Sequence, residues 1–261
     1  MAKEVAKKKE SNVVAFDAAM LLDDAGAGQE NMSREDMMIP RLSILQQMSP
    51  QVNKRDGAYV EGAEPGFILD NVGQRAIDGE VGITVVPISY RRAHIEWKAD
   101  RGGFAGDHGP DSSCLDNCTR GGRGEYLTPD GNEIVPTGEY FVFVIEGDSY
   151  APALLSMSKS QLKKARQWNS MINRLMIDVD GKRINPAMFW TAYQLTTVPE
   201  ENDQGSWFGW SVKMLHDAAS GGIIANHPHG KDIYLDAREF RNQVATGEVK
   251  VSPESVDDDV M

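Results

Sequence analysis

LLSMSKSQLKKARQWNSMINRL, Leu154 to Leu175, is the stretch on which the fold reading turns. It reads as the end of a strand, a capped start and then a helix. Ser158 stands at an N-cap position, and Gln161 three residues on completes a capping box. Leu162, Ala165, Trp168, Ile172, Leu175 and Met176 then recur at helical spacing, so one side of the helix buries. Lys159, Lys163, Arg166 and Arg174 fall on other faces, with Lys164 nearby. The spacing predicts a helix over about Lys159–Ile177.

Upstream, VGITVVPISYRRAHIEW (Val81–Trp97) is a long strand signal in which Pro87 marks an edge or a bulge. EYFVFVIEG (Glu139–Gly147) is an unbroken apolar run, as a buried strand requires, and a short turn joins it to APALLSMS (Ala151–Ser158) as a hairpin. Downstream, AMFWTAYQLTTV (Ala187–Val198) and SWFGWSVKMLH (Ser206–His216) are strands joined by the polar turn PEENDQG. The order is strand, long loop, strand, strand, helix, strand, strand. That order predicts a mostly β fold with helices: a five-stranded OB-fold-like barrel with a helix between strands 3 and 4. An α+β sheet of another type remains open as the alternative.

The rest arranges itself around this core. Residues 1–38 read as a flexible N-terminal arm with at most a short helix at Val13–Leu22. IPRLSILQQMSP (Ile39–Pro50) is a dense apolar segment that docks on the core, as a short helix or an extended piece. Residues 51–80 are turn-rich, with a short strand at Phe67–Leu69. DIYLDAREFRNQV (Asp232–Val244) is a short helix, and residues 246–261 form an acidic tail. The OB-fold-like domain therefore spans 39–245, flanked by flexible termini.

The 261 residues suffice for one large domain with decorated ends. There is no apolar run long enough to span a membrane and no clear signal peptide, so an intracellular protein with no membrane partner is expected. Two cysteines are too few for a disulfide scaffold. A net charge of -12 argues against wrapping duplex DNA with the whole surface. The charge is uneven, however: from Tyr150 to Arg183 bases outnumber acids, so a local polyanion site is compatible with an acidic whole.

The connection 98–138 is glycine-rich and long, and such loops are commonly functional; the turn signal Pro129-Asp130-Gly131 allows it a small hairpin. In and beside it Arg91, Arg92, Trp97, Lys98, Arg101, Phe104, Arg120, Arg123 and Tyr126 alternate cations with rings. Single-stranded nucleic acid needs this mixture, cations for phosphates and π faces for unpaired bases. A solvated surface loop with Trp97 in the core is the alternative. Lys159, Lys163 and Lys164 join the site if the basic helix shares a face with this loop. Cys114 and Cys118, with His108 and His94 near, are a candidate zinc set without the paired CxxC signature. The tail ends in Asp257, Asp258, Asp259, Val260 and Met261, an acidic segment with an apolar tip suited to docking in a basic-rimmed pocket, or to competing with nucleic acid for a cationic groove. No hydrolase, P-loop or zincin motif is present, so the chain reads as non-catalytic and without an obligate cofactor.

IPRLSILQQMSP, ITVVPISYRRAHIEW, the glycine-spaced loop and LLSMSKSQLKKARQWNSMI together resemble a group of bacteriophage proteins of the single-stranded DNA-binding type, over roughly residues 39–215. The resemblance implies an OB-fold core and a role in phage DNA replication or recombination, in the cytoplasm of the infected bacterial host. It also implies a tail that recruits replication proteins, a polymerase, a helicase-primase or a nuclease; the Val260-Met261 end departs from the usual aromatic tip. The expected function is to coat and protect single-stranded DNA, with homo-oligomers compatible. A metal-dependent nuclease or hydrolase built on the His108/Cys114/Cys118 loop, and a phage structural or host-interaction protein, are the competing readings.

Overall fold

The computed structural model describes residues 18–32, 36–99, 103–203, 205–247 and 249. The chain divides into two compact units, Met1–Met37 and Met38–Met261. In the first, α1 (Ala18–Asp23) leaves Met20, Leu21 and Leu22 exposed. The helix expected at Val13–Leu22 begins outside the described residues.

The second unit is built on strands. Its elements are β1 (Arg41–Ile44), β2 (Ile68–Asp70), β3 (Arg75–Ile77), β4 (Ile83–Trp97), β5 (Phe104–Asp107), β6 (Thr119–Arg120), β7 (Tyr126–Leu127), β8 (Glu133–Glu146) and β9 (Ser149–Ser158). Then follow α2 (Leu162–Arg174), β10 (Ile177–Val179), β11 (Lys182–Ile184), β12 (Tyr193–Asn202), β13 (Gly205–Met214), α3 (Gly222–Asn226) and α4 (Gly230–Thr246). Eleven strands form one mixed sheet, whose main path runs β13-β12-β4-β8-β9-β1-β2-β3; β10 and β11 make a separate ribbon. No helix among the described residues is long and apolar enough to cross a membrane.

This sheet overturns the expected five-stranded OB-fold barrel. The five strands read from the sequence and the helix among them are present, but β9 does not turn to meet β13. It pairs in parallel with β1, which brings β2 and β3 with it. The sheet therefore stays open as a half-barrel. The β13 edge is occupied by two glutamine side chains instead of a strand. Gln46 accepts from Phe208 N at 2.9 Å and donates to Phe208 O at 3.0 Å, and Gln161 accepts from Trp210 N at 2.8 Å. An open edge is a template for unwanted pairing, and side-chain amides blunt it here.

The expected loop 98–138 is corrected as well, except for the small hairpin at Pro129-Asp130-Gly131, which is present where β7 turns into β8. The segment holds β5, β6 and β7, a 3-10 turn at Ser112–Leu115, and the first residues of β8, which begins at Glu133 rather than Glu139. β5 pairs with the end of β4, and β7 pairs with the start of β8 in line with β9. The result is an antiparallel flap, ordered β5-β4-β8-β7-β6, that extends the half-barrel.

Two faces of the same strands are buried. Tyr140, Val142 and Val144 point inward with Leu42, Val85, Leu155, Leu195 and Trp210, and α2 adds Ala165 and Trp168 to that interior. Phe143 lies on the other face with Val86, Ile88, Ile223, Ile233 and Ala237, under α3 and α4. A strand buried on both sides reads as an unbroken apolar run. Trp168 is completely buried and stacks on Tyr140 at 4.2 Å between centroids. The Tyr140 hydroxyl lies 2.9 Å from both Ala165 O and Asn169 Oδ1, which fixes the helix to β8. A buried ring of this size contributes about 3–5 kcal/mol.

The start of α2 differs from the expected capping box. Ser158 makes no side-chain cap bond, and Lys159–Gln161 form a 3-10 turn that precedes the helix. Gln161 faces β13 instead of the Ser158 amide. Lys159 takes φ +48°, a left-handed conformation that costs a side-chain-bearing residue energy. The tight β9-to-α2 corner requires it.

Candidate nucleic-acid interface

Strand register decides which flap residues share a face. Arg120 stands opposite Tyr126, Tyr126 opposite Ile134, and Ile134 opposite Glu96. Arg92 and His94 alternate onto the same side as Glu96, as does Tyr90. That side continues the half-barrel interior: Tyr90 packs on Tyr140, 4.9 Å between centroids. It is also the side toward α2, because a Cβ on Gly138 would lie 3.1 Å from Tyr90 and 3.4 Å from Ala165.

The opposite side of the flap holds a small core of Ala93, Ile95, Trp97 and Val135, with Phe104 against it. Trp97 is 8 % exposed and meets Phe104 edge-on, so its ring faces are committed to packing. Of the two expected stacking rings only Tyr126 remains half-exposed. The Arg120 guanidinium lies 3.5 Å over its centroid and donates to Gly124 O at 2.7 Å. A cation–π pair of this kind presents charge and ring together.

The predicted cations fall into two sets. Arg91 is committed internally: its Nε donates to Glu139 at 2.6 Å and its Nη2 to Asp107 at 2.8 Å. Burial opposes its charge, but Glu139 and Asp107 outweigh that and raise its pKa. Lys159 lies 3.6 Å from Glu133, and Lys164 lies 3.0 Å from Glu200. Arg92 is half-buried, and among the described residues no carboxylate lies within ion-pair distance of it. Lys98, Arg123 and Lys163 are exposed. Arg101 and the tail Asp257–Met261 lie outside the described residues.

The exposed side of α2 is more uniform than its sequence promised. Lys163, Arg166 and Arg174 stand there with Gln167 and Ser170, and the helix contains no acidic residue. Thirteen residues make a strip about 20 Å long. Its C-terminal end is fixed by Asn185, whose Nδ2 donates to Leu175 O at 2.7 Å and reaches Ile172 O and Asn173 O. Asn185 directly follows the β10–β11 ribbon, whose turn at Asp180–Gly181 carries positive φ at both residues. The ribbon adds exposed Lys182 and Arg183, two cations outside the original site reading. Between Lys159 and Ile184 seven bases stand against two acids in a chain of net charge -12.

A second half-buried ring borders the strip. Trp207 on β13 donates its indole N–H to Glu200 at 3.0 Å, the carboxylate that also holds Lys164. The sequence signal was the pair of tryptophans in SWFGW, of which Trp210 fills the interior and Trp207 does not.

The cysteine loop has a different place. β5 and β6 lie at opposite edges of the flap, so residues 108–118 between them cross one of its faces. His94 Nδ1 lies 3.0 Å from Gly109 O, which puts that crossing on the Tyr126 side. His108 Nε2 is 2.7 Å from Glu96 Oε2. Asn132 first, then His108, hold the Glu96 carboxyl below its ordinary pKa. Burial first, then Cys118, pushes the Cys114 thiol up. Among the described residues no three His, Cys, Asp or Glu side chains come together to hold a metal ion.

Neither curated proteins nor solved structures include a significant match to the chain. A family model does match it, over residues 8–250, and is described as Pam3 phage gp34-like protein. The chain therefore belongs to the Pam3 phage gp34-like family of bacteriophage proteins.

Proposed function

We propose that the protein binds single-stranded DNA non-catalytically, coating and protecting it during phage replication or recombination. The observation that carries this reading is the acid-free strip of α2. Lys163, Arg166 and Arg174, with Lys182 and Arg183 beyond them, have no internal carboxylate within ion-pair distance among the described residues. Cations without internal partners gain most from an external polyanion, because binding releases condensed counterions without breaking a native ion pair. Tyr126 with Arg120 on the flap, and Trp207 on β13, supply half-buried rings. Stacking unpaired bases on such rings is worth about 1–3 kcal/mol each, and duplex DNA offers none. The acidic tail would recruit replication proteins, a polymerase, a helicase-primase or a nuclease.

Fluorescence anisotropy of labelled oligo-dT, against duplex of equal length and at several salt concentrations, tests the reading. Single strands should bind more tightly than duplex. Replacing Lys163, Arg166 and Arg174 together by Gln should flatten the log–log salt slope by about 2, near 0.7 per lost phosphate contact. Surface changes of this kind leave stability within about 0.5 kcal/mol each. Absence of binding, or an unchanged slope in the triple variant, would overturn it.

A further inference from the structure

Glu200 lies where the β12–β13 hairpin passes the flank of α2. Its Oε1 is 3.0 Å from Lys164 Nζ. Its Oε2 accepts from Gln161 Nε2 and from Trp207 Nε1, each at 3.0 Å. We propose that Glu200 is an internal substitute for a nucleic-acid phosphate, masking Lys164 until a bound strand displaces it. The proposal rests on the single-stranded DNA-binding reading and names the contact that regulates that site.

Three features set this pair apart from the other masked cations. First, the exchange leaves the Glu200 carboxylate hydrogen-bonded and partly in water. When Lys164 turns to a phosphate, Glu200 keeps two of its three donors, Gln161 and Trp207, and both partners are partly exposed. Arg91 is the contrast, since its departure would leave a Glu139 carboxylate that is 1 % exposed with only Arg41, at 3.6 Å, to balance it. Second, the supporting geometry does not depend on Lys164. Gln161 also accepts from Trp210 N, so the helix stays fixed to the β13 edge during the exchange. Third, Lys164 stands beside the free cations of α2 on the flank that carries Trp207. An unmasked Lys164 would bind a phosphate next to a half-buried ring, the pairing a single strand needs.

The test uses the full chain and labelled oligo-dT by anisotropy. Glu200→Gln should tighten binding about two- to five-fold, the fold-change that matches an exposed ion pair. Lys164→Gln should weaken binding, and adding Glu200→Gln to it should restore nothing. Glu201→Gln, a neighbouring carboxylate on the same hairpin with no ion pair to α2, controls for general charge and should gain far less. A second readout needs no Glu200 variant: part of the tryptophan emission change on titrating oligo-dT should vanish in Trp207→Phe. Absence of oligo-dT binding by the native protein would sink the DNA-binding reading itself. Native binding with no gain in a folded Glu200→Gln, with a gain that persists beside Lys164→Gln, or with an emission change indifferent to Trp207→Phe would overturn the masking alone.

Discussion

Replacing Glu139 by Gln would show what the most basic-looking part of β4 is for. Glu139 is 1 % exposed and lies between two guanidinium groups. Arg91 reaches its Oε2 at 2.6 Å, and the buried Arg41 lies 3.6 Å from its Oε1. Arg41 also donates to Ser156 Oγ, which ties β1 to β9 at the point where the expected barrel closure was diverted. The glutamine matches glutamate in shape, so the change removes charge and little volume. Breaking one side of a buried ion pair costs about 3–5 kcal/mol, because the remaining charges keep their desolvation penalty. For a folded unit of roughly 200 residues the unfolding entropy is about 0.4 kcal/mol/K, so the melting midpoint should fall by about 7–12 °C. Arg91→Gln should cost less, about 1–3 kcal/mol, since Arg91 is 36 % exposed and solvent screens part of its interaction. The assay is thermal denaturation followed by circular dichroism, with oligo-dT salt titrations below the transition. Arg91→Gln should leave the salt slope unchanged, because its guanidinium already serves two internal carboxylates. A Glu139→Gln midpoint within about 2 °C of native would refute the buried-network argument. A salt slope flattened by a full contact in Arg91→Gln would refute the assignment of Arg91 to structure.

Two further outcomes follow from local geometry. Lys159 holds φ +48° with its side chain 61 % exposed, so Lys159→Gly relieves about 1–2 kcal/mol of left-handed strain and forfeits about 0.5–1 kcal/mol of chain entropy and a weak surface pair. Its stability should stay within about 1 kcal/mol of native while oligo-dT affinity falls, and a loss above about 2 kcal/mol would show that the side chain, not the backbone, holds this corner. The Glu200 carboxyl has its pKa lowered in the fold: burial raises it, but Lys164, Trp207 and Gln161 together outweigh burial. A lowered folded value contributes stability that is present above the ordinary carboxylate pKa of about 4.3 and is lost as pH falls through the folded value. Acid titration by circular dichroism should therefore show a shallower decline in Glu200→Gln than in the native protein, and identical acid limbs would refute the linkage.

What the sequence disclosed and what it hid divide along physical lines. β4, β8, β9, β12, β13 and α2 were legible because each carries enough apolar residues to set a period or an unbroken run. Their order was legible too, and still the barrel expectation failed. Closure depends on which edge β9 meets, and that choice is made by β1, a four-residue strand in a segment that reads equally as helix. β5 and β6 were invisible for a related reason, and of β7 only its turn into β8 at Pro129-Asp130-Gly131 was legible. Strands of two to four residues have no period to detect, and they form because β4 and β8 run past the half-barrel and leave ladder groups to be paired. Glycine and turn residues in residues 98–138 looked like a loop because the hairpins there are nearly all turn.

The site was harder still, since charge in a sequence carries no information about its partner. Arg91 and Arg92 are adjacent and chemically identical, and alternation along β4 sends them to opposite faces. One meets Glu139 and Asp107, and the other faces the α2 side with no carboxylate in reach among the described residues. The helix divides its bases by the same logic at a different period: Lys164 turns toward Glu200, while Lys163 and Arg166 turn outward. The nearest acidic partners come from 16, 36 and 48 positions away in the chain. No local window contains them. A basic run is thus a set of candidates that the fold sorts into structural, masked and free cations. Five bases with no carboxylate in ion-pair range among the described residues stand on α2 and its ribbon, so on the proposed reading a polyanion that engages them next meets Lys164, held at the flank of the same helix by Glu200.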